Sequence, residues 1–212
     1  MSDRALIELD RHRKGLLVVI PGPTASPFPV TIEGRRVRLR EFAENDLDAI
    51  WEWGSDPQFF QFILAEPLGT IAEQRTWLDE RLAEAQEHPR HHYHLGIELG
   101  QPQTLIGGIE IGIESDHHRK AIIGYGIHPA WWGQGYASEA ARLMVGFGFA
   151  ALGLHRIWAT YHPENTASRR ILGNLGFRQE GRLRDDRLTA GMWHDSIVCS
   201  ILEYEWRNET ST

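Results

Sequence analysis

A single cysteine, Cys199, excludes any disulfide within this chain and leads us to expect a reducing compartment. It sits in the strand-like apolar run "SIVCSILEY", where burial as a small hydrophobe is the simpler expectation than a thiol nucleophile. No apolar run approaches the roughly 20 residues of a membrane-spanning helix. Basic residues before Leu16–Ile20 imitate a secretory signal, but that apolar stretch is too short for one. A cytoplasmic location is therefore expected, with no membrane partner. No long run of one charge sign appears, and the formal net charge is −7. That argues against a nucleic-acid surface and for a basic or neutral substrate. A Walker G-K-[ST] ending is also missing, and Ser138 stands where a Rossmann fingerprint needs its third glycine.

What is present suits one large domain of 212 residues, 42% of them apolar. Residues 1–30 read as an N-terminal extension. They include the proline-rich linker "PGPTASPFP", a possible edge strand at Leu16–Ile20, and a disordered first dozen. The main domain is expected over 31–208, with a tail at 209–212. Alternation in "GRRVRLREF" predicts a strand. Asn45 or Asp46 is placed to cap a helix carrying Leu47, Ile50 and Trp51. Thr70 and Glu73 make a capping box for a second helix. Three hairpin-linked strands follow, at His92–Leu99, Thr104–Glu114 and Lys120–His128. Then come a helix near 137–152, a strand at His155–His162, and a short helix capped by Asn165 and stopped by Gly176. Two closing strands are expected, near Phe177–Leu183 and Ser196–Trp206. This order is a mixed α/β (α+β) sheet with helices, not a regular doubly wound fold.

The segment "IGYGIHPAWWGQGYASEAARLM" reads as strand, loop, helix. Gly133 and Gly135 remove side chains where backbone N–H groups can point outward. The first helical turn adds unpaired N–H groups and the positive end of its dipole. Together these fit a pyrophosphate, although two glycines before a helix can also be only a tight turn.

The motifs "WGQGYASEA", "LHR", "NTASRR" and "LGFRQEG", in that order and spacing, resemble the GNAT acyl-CoA N-acetyltransferases. The likeness runs from Ile32 to Arg207. It is greatest to the RimJ/RimL branch, known for acetylating protein N-terminal amines. The resemblance implies a mostly antiparallel sheet, splayed at a cofactor cleft, and acetyl-CoA as co-substrate. It implies a pyrophosphate loop of Trp132, Gly133, Gln134, Gly135, Tyr136, Ala137 and Ser138. Many members have Gln or Arg where Trp132 stands. It also places the pantetheine arm along open backbone near Ile127, Asn165 on that arm, Ser168 near the thioester sulfur, and Arg169 and Arg170 near the nucleotide. Helix capping is an alternative use of Asn165 and Ser168, and solvated charge one of the arginines.

Acetyl transfer to an amine requires loss of the amine's proton, stabilisation of an oxyanion and protonation of the leaving thiolate. The resemblance implies the N–H near Ile127 for the oxyanion, and Ser168 is the expected partner of the sulfur. The family often carries a glutamate in a pattern like A-E-I-G-Y. Here the stretch is Ala121, Ile122, Ile123, Gly124, Tyr125, so the acid is absent. Glu110 is the expected replacement base, with a raised pKa, unless strand alternation turns it to solvent. Tyr125 and His128 are further candidates. Trp51, Trp53, Phe59, Phe60 and Phe62 are candidates for the acceptor wall, with core packing as their alternative. Trp131 is expected at its entrance. The histidines at 91–94 and 117–118 fix no zinc spacing, so no metal is expected. The acceptor is expected to be a primary amine, on a protein N-terminus or a small molecule, attacking directly in a ternary complex. The alternative is a non-catalytic acyl-CoA sensor. Association into a homodimer is left open.

Overall fold

The computed structural model describes residues 6–7, 17–19, 29–63, 67–101, 103–189 and 191–209. Residues 21–28 of the expected linker at 21–29, residues 210–212 of the expected tail at 209–212 and most of the first dozen residues lie outside them. The strands are β1 (Leu6–Ile7), β2 (Leu17–Val19), β3 (Thr31–Glu33), β4 (Val37–Glu41), β5 (His92–Leu99), β6 (Thr104–Ser115), β7 (Lys120–Ile127), β8 (Arg156–Tyr161), β9 (Arg178–Thr189) and β10 (Met192–Leu202). The helices are α1 (Leu47–Gly54), α2 (Ile71–Glu84), α3 (Tyr136–Ala150), α4 (Thr166–Asn174) and α5 (Glu203–Glu209). The strands form one sheet in the order β1-β2-β3-β4-β5-β6-β7-β8-β10-β9.

Every neighbouring pair is antiparallel except β7 and β8. That parallel pair joins only over Lys120–Ile122 and Arg156–Trp158. Beyond Ile122 no pairing links the two strands, so the sheet opens there as a V. Short hairpins fix the register of β5, β6 and β7. β8 instead returns through α3, the crossover that parallel strands require.

Two apolar clusters hold the fold. The larger joins α3, through Ala140, Leu143, Met144 and Phe147, to the central strands. The smaller lies under α1 and α2 and includes Phe42, Ile50, Trp53, Phe59, Leu78 and Leu105. Leu105 and Ile106 are consecutive on β6 yet belong to different clusters, so the clusters occupy opposite faces of the sheet. Burying Phe147 or Met144 completely stabilises the fold by roughly 1.5–3 kcal/mol each.

The closing hairpin is longer than expected, with β9 running to Thr189 and β10 starting at Met192, and local chemistry differs from expectation at two further places. Asp46 makes no side-chain cap bond to α1. Its carboxylate turns back to accept the Ala43 N–H at 2.7 Å and to pair with the Arg40 guanidinium, also at 2.7 Å. The run expected as a strand through Trp206 ends at Leu202 and becomes α5. Glu205 accepts the Leu202 N–H at 3.0 Å, which turns the chain out of the sheet. The capping boxes at Thr70–Glu73 and the Asn165 cap are present as expected.

Candidate active site

The glycine loop sits at the end of β7. Gly133 and Gly135 have φ of +73° and +80°, left-handed values that side-chain-bearing residues rarely adopt. The first main-chain bond of α3 runs from the Glu139 N–H to the Gly135 carbonyl at 3.1 Å. The N–H groups of Tyr136, Ala137 and Ser138 are therefore left without helical partners. An exposed loop of bare backbone beside the positive end of a 15-residue helix suits a diphosphate.

Arg36, just before β4, braces this loop, and the sequence reading missed it. Its N–H donates to Glu139 Oε1 at 2.7 Å, its Nε to Glu139 Oε2 at 2.8 Å, and its Nη1 to the Gln134 carbonyl at 2.9 Å. The guanidinium also lies over the Tyr136 ring at 5.0 Å. Burial pushes the Glu139 carboxyl upward, but these Arg36 and Val37 contacts outweigh it and hold it below its ordinary value.

Trp132 is 46% exposed, and its indole Nε1 donates to the Ile127 carbonyl at 2.6 Å. The His128 N–H goes to Ile106 on β6, so alternation turns the Ile127 N–H and carbonyl toward the gap beside β8. The expectation of open backbone at Ile127 is thereby corrected: the indole takes the carbonyl, and the N–H is the group left facing the gap. His128 is corrected too. Its Nδ1 accepts the Ala130 N–H at 3.2 Å, closing a 3₁₀ turn.

A cleft of about 560 Å³ lies where β7 and β8 part. Tyr125, Ser168, Asn165 and Glu110 all line it. The Tyr125 hydroxyl lies 3.0 Å from Ser168 Oγ, and Asn165 Oδ1 accepts the Ser168 N–H at 2.9 Å. Burial raises the Tyr125 hydroxyl pKa above its ordinary value, more than the Ser168 bond lowers it. The phenol therefore stays protonated and able to donate. Arg169 and Arg170 are exposed on α4. Cys199 is buried, its thiol pushed up to about 12 by that burial, and does not line the cleft.

Glu110 lies opposite Gly124 in the β6–β7 register. A Cβ at Gly124 would stand 2.8 Å from Glu110 Oε1, so the glycine makes room for the carboxylate. The expected rise in its pKa is corrected. Contact with His94 is the largest influence on Glu110 and holds it below the usual carboxylate value, against the effect of burial. His94, which the sequence showed only as part of a histidine run with no metal spacing, lines the cleft. Period two along His92–Leu99 carried that signal.

Trp53, Phe59, Phe60 and Phe62 line the cleft. Trp53 is also core, 4.9 Å from Phe59 and 6.2 Å from Trp77. Trp51 is not among the lining residues. Two positions along a helix turn a side chain roughly 200° away, so Trp51 and Trp53 cannot share the wall. Trp131 packs edge-on to Tyr136 at 6.3 Å, beside the glycine loop and not in the cleft. Among the described residues no group of three metal-binding side chains forms, and no helix is long and apolar enough to cross a membrane.

The family profile described as "Acetyltransferase (GNAT) domain" matches residues 36–178. The uncharacterized N-acetyltransferase YoaA of Bacillus subtilis is 35% identical over 176 residues, covering 83% of this chain and 98% of YoaA. The spermidine N(1)-acetyltransferase of Escherichia coli K12 is 25% identical over 177 residues, covering 83% of this chain and 91% of its own. The structure of Mycobacterium smegmatis RimJ in complex with CoA-disulfide superposes with a TM-score of 0.75 at 27% identity, covering 84% of this chain and 90% of that one. With the V-shaped opening and the glycine loop already in place, these matches establish that the chain belongs to the GNAT family, beside RimJ/RimL-like members, and is an N-acetyltransferase.

Proposed function

We propose that the protein transfers an acetyl group from acetyl-CoA to a primary amine, on a protein N-terminus or a small molecule, by direct attack in a ternary complex. One observation carries the reading: the hydroxyl pair of Tyr125 and Ser168, 3.0 Å apart, stands in the cleft where β7 and β8 separate. An unpartnered-amide loop lies at the end of the same β7.

Acetyl-CoA supplies the thioester carbonyl that an amine attacks and the sulfur that leaves. The residues present fit it. Gly133 to Ser138 offer main-chain N–H groups to the diphosphate, and Arg36 and Glu139 brace that loop. The Ile127 N–H faces the gap as a donor for a developing oxyanion. Tyr125 and Ser168 share hydrogen-bonding protons beside the sulfur's expected position. Glu110 takes the amine's proton. Its carboxylate comes from β6 and fills the space over Gly124, compensating for the acid that Ile122 does not provide. The aromatic wall of Trp53 and Phe60 excludes water from the acceptor end.

The test has two arms. Calorimetry with acetyl-CoA measures binding, and free-thiol release is followed against N-terminal peptides, polyamines and simple amines. The reading expects micromolar binding and thiol release with at least one amine. Binding without release from any amine supports a non-catalytic sensor instead.

A further inference from the structure

Behind Glu110 the cleft wall holds a polar chain that leads away from the reacting atoms. His94, on β5, stands between two carboxylates. Its Nδ1 lies 3.1 Å from Glu84 Oε2 on α2, and its Nε2 contacts Glu110 Oε2 on β6. Arg81 holds Glu84 in turn, with Nε 3.0 Å from Oε2 and Nη2 3.0 Å from Oε1. The His92 ring stacks on His94 at 6.3 Å. Arg81 and Glu84 from α2, Glu110 from β6 and His92 from β5 are thus the charged and titratable groups around this imidazole. Glu110 and His94 line the cleft, whereas Glu84 does not and is 24% exposed. The chain therefore runs from the open cleft, where the Glu110 side chain is 47% exposed, to Glu84 on α2.

We propose that Glu110, His94 and Glu84 form a proton relay that draws a proton from the acceptor ammonium and releases it at the α2 surface, with His94 as the positioning and shuttle residue. This rests on the transferase reading above. The ammonium's N–H bond breaks as an O–H bond forms on Glu110. That proton passes to His94 Nε2 while the Nδ1 proton passes to Glu84, which gives it to water. The imidazole ends neutral, in its other tautomer; once the product has left and water fills the cleft, Nε2 gives its proton to that water and Nδ1 regains one from solvent through Glu84, which restores the starting state. The amine keeps the electron pair that attacks the thioester carbon. An imidazole suits this place because one nitrogen accepts while the other donates, near neutral pH.

The test compares wild type with His94→Gln, His94→Ala and Glu84→Gln, with thermal melting to confirm folding. Two readouts are needed. First, imidazole ¹⁵N NMR of the protein without ligands reports His94 protonation. Its shifts are expected to move in Glu84→Gln and in Glu110→Gln, and unmoved shifts in both overturn the relay. Second, thiol release is followed across pH at saturating acetyl-CoA. His94→Gln is expected to lose about tenfold in kcat/KM at pH 7, with the loss shrinking as pH rises and the free amine loses its proton unaided. Added imidazole is expected to restore part of the activity of His94→Ala, and KM for acetyl-CoA to stay unchanged. A loss that is uniform across pH, or absent, overturns the relay while leaving the transferase reading intact. If wild type itself releases no thiol with any amine, both fail together.

Discussion

Glu139 and Arg36, 103 positions apart in the chain, meet through two bonds of 2.7 and 2.8 Å at the foot of α3. A residue preceding the second short hairpin strand thereby sets the first turn of the helix that ends the glycine loop. Replacing Glu139 with Gln keeps the shape and weakens both bonds. We expect acetyl-CoA binding to weaken about three- to tenfold, with melting temperature lowered by only a few degrees. Isothermal calorimetry on folded Glu139→Gln checks this, and unchanged affinity would show the brace to be irrelevant to the loop.

Gly135→Ala places a Cβ at φ +80°, 3.3 Å from Arg36 Nη2. The left-handed backbone alone costs about 1–2 kcal/mol, and the crowding adds to that. The urea midpoint is expected to fall accordingly. Gly173→Ala, inside α4, has open space at its Cβ and no positive φ, so it serves as the comparison and is expected to hold or raise the midpoint, since alanine suits a helix better than glycine.

Gly124→Ala tests the route by which Glu110 reaches the cleft. The new methyl meets Glu110 Oε1 at 2.8 Å, so the carboxylate must swing away. Thiol release is expected to fall about tenfold or more, within the range that a displaced acid–base group costs. Acetyl-CoA affinity is expected to hold, because the glycine loop at Gly133–Gly135 lies beyond the C-terminal end of β7. Full activity in this variant would remove Glu110 from the mechanism.

Arg156 and Glu180 tie β8 to β9, with Ser200 Oγ accepting from Arg156 at 2.8 Å. The Arg156 guanidinium holds the Glu180 carboxyl down to about 2. A depressed carboxylate contributes stability above its unfolded value and loses it as pH falls through the folded one. The stability difference between wild type and Glu180→Gln is therefore expected to be steady at neutral pH and to fade between about pH 4.5 and 2. Glu180 is 41% exposed, so solvent screening limits the difference to about 1 kcal/mol or less. Urea titrations at several acidic pH values measure it.

The fold was legible because its signals are local. Alternation fixed β5, β6 and β7 within a residue or so, and side-chain caps at Thr70 and Asn165 marked two helix starts. The end of β10 was not legible, since an apolar run ending in Trp206 reads equally as strand or helix. The only cue was Glu205 reaching the Leu202 N–H. In the candidate site, composition pointed to the glycine loop, whose two left-handed glycines the structure shows, and a motif pointed to Ser168, which lines the cleft. Neither pointed to Arg36, His94 or Glu84, because their roles come from partners brought together by sheet and helix packing. Trp51 and Trp53 show the same limit: adjacent aromatics look alike in sequence, and only the helical turn sends one to the cleft wall and the other away.

The central claim is that the parted strands and the glycine loop hold acetyl-CoA with its thioester beside Tyr125 and Ser168. Its most direct test is a crystal structure of the protein with coenzyme A and an acetylated amine. The account predicts diphosphate oxygens on the N–H groups of residues 133–138 and the sulfur within hydrogen-bonding reach of the Tyr125 or Ser168 hydroxyl. Coenzyme A bound elsewhere, or a sulfur far from both hydroxyls with the β7–β8 gap closed, would contradict it.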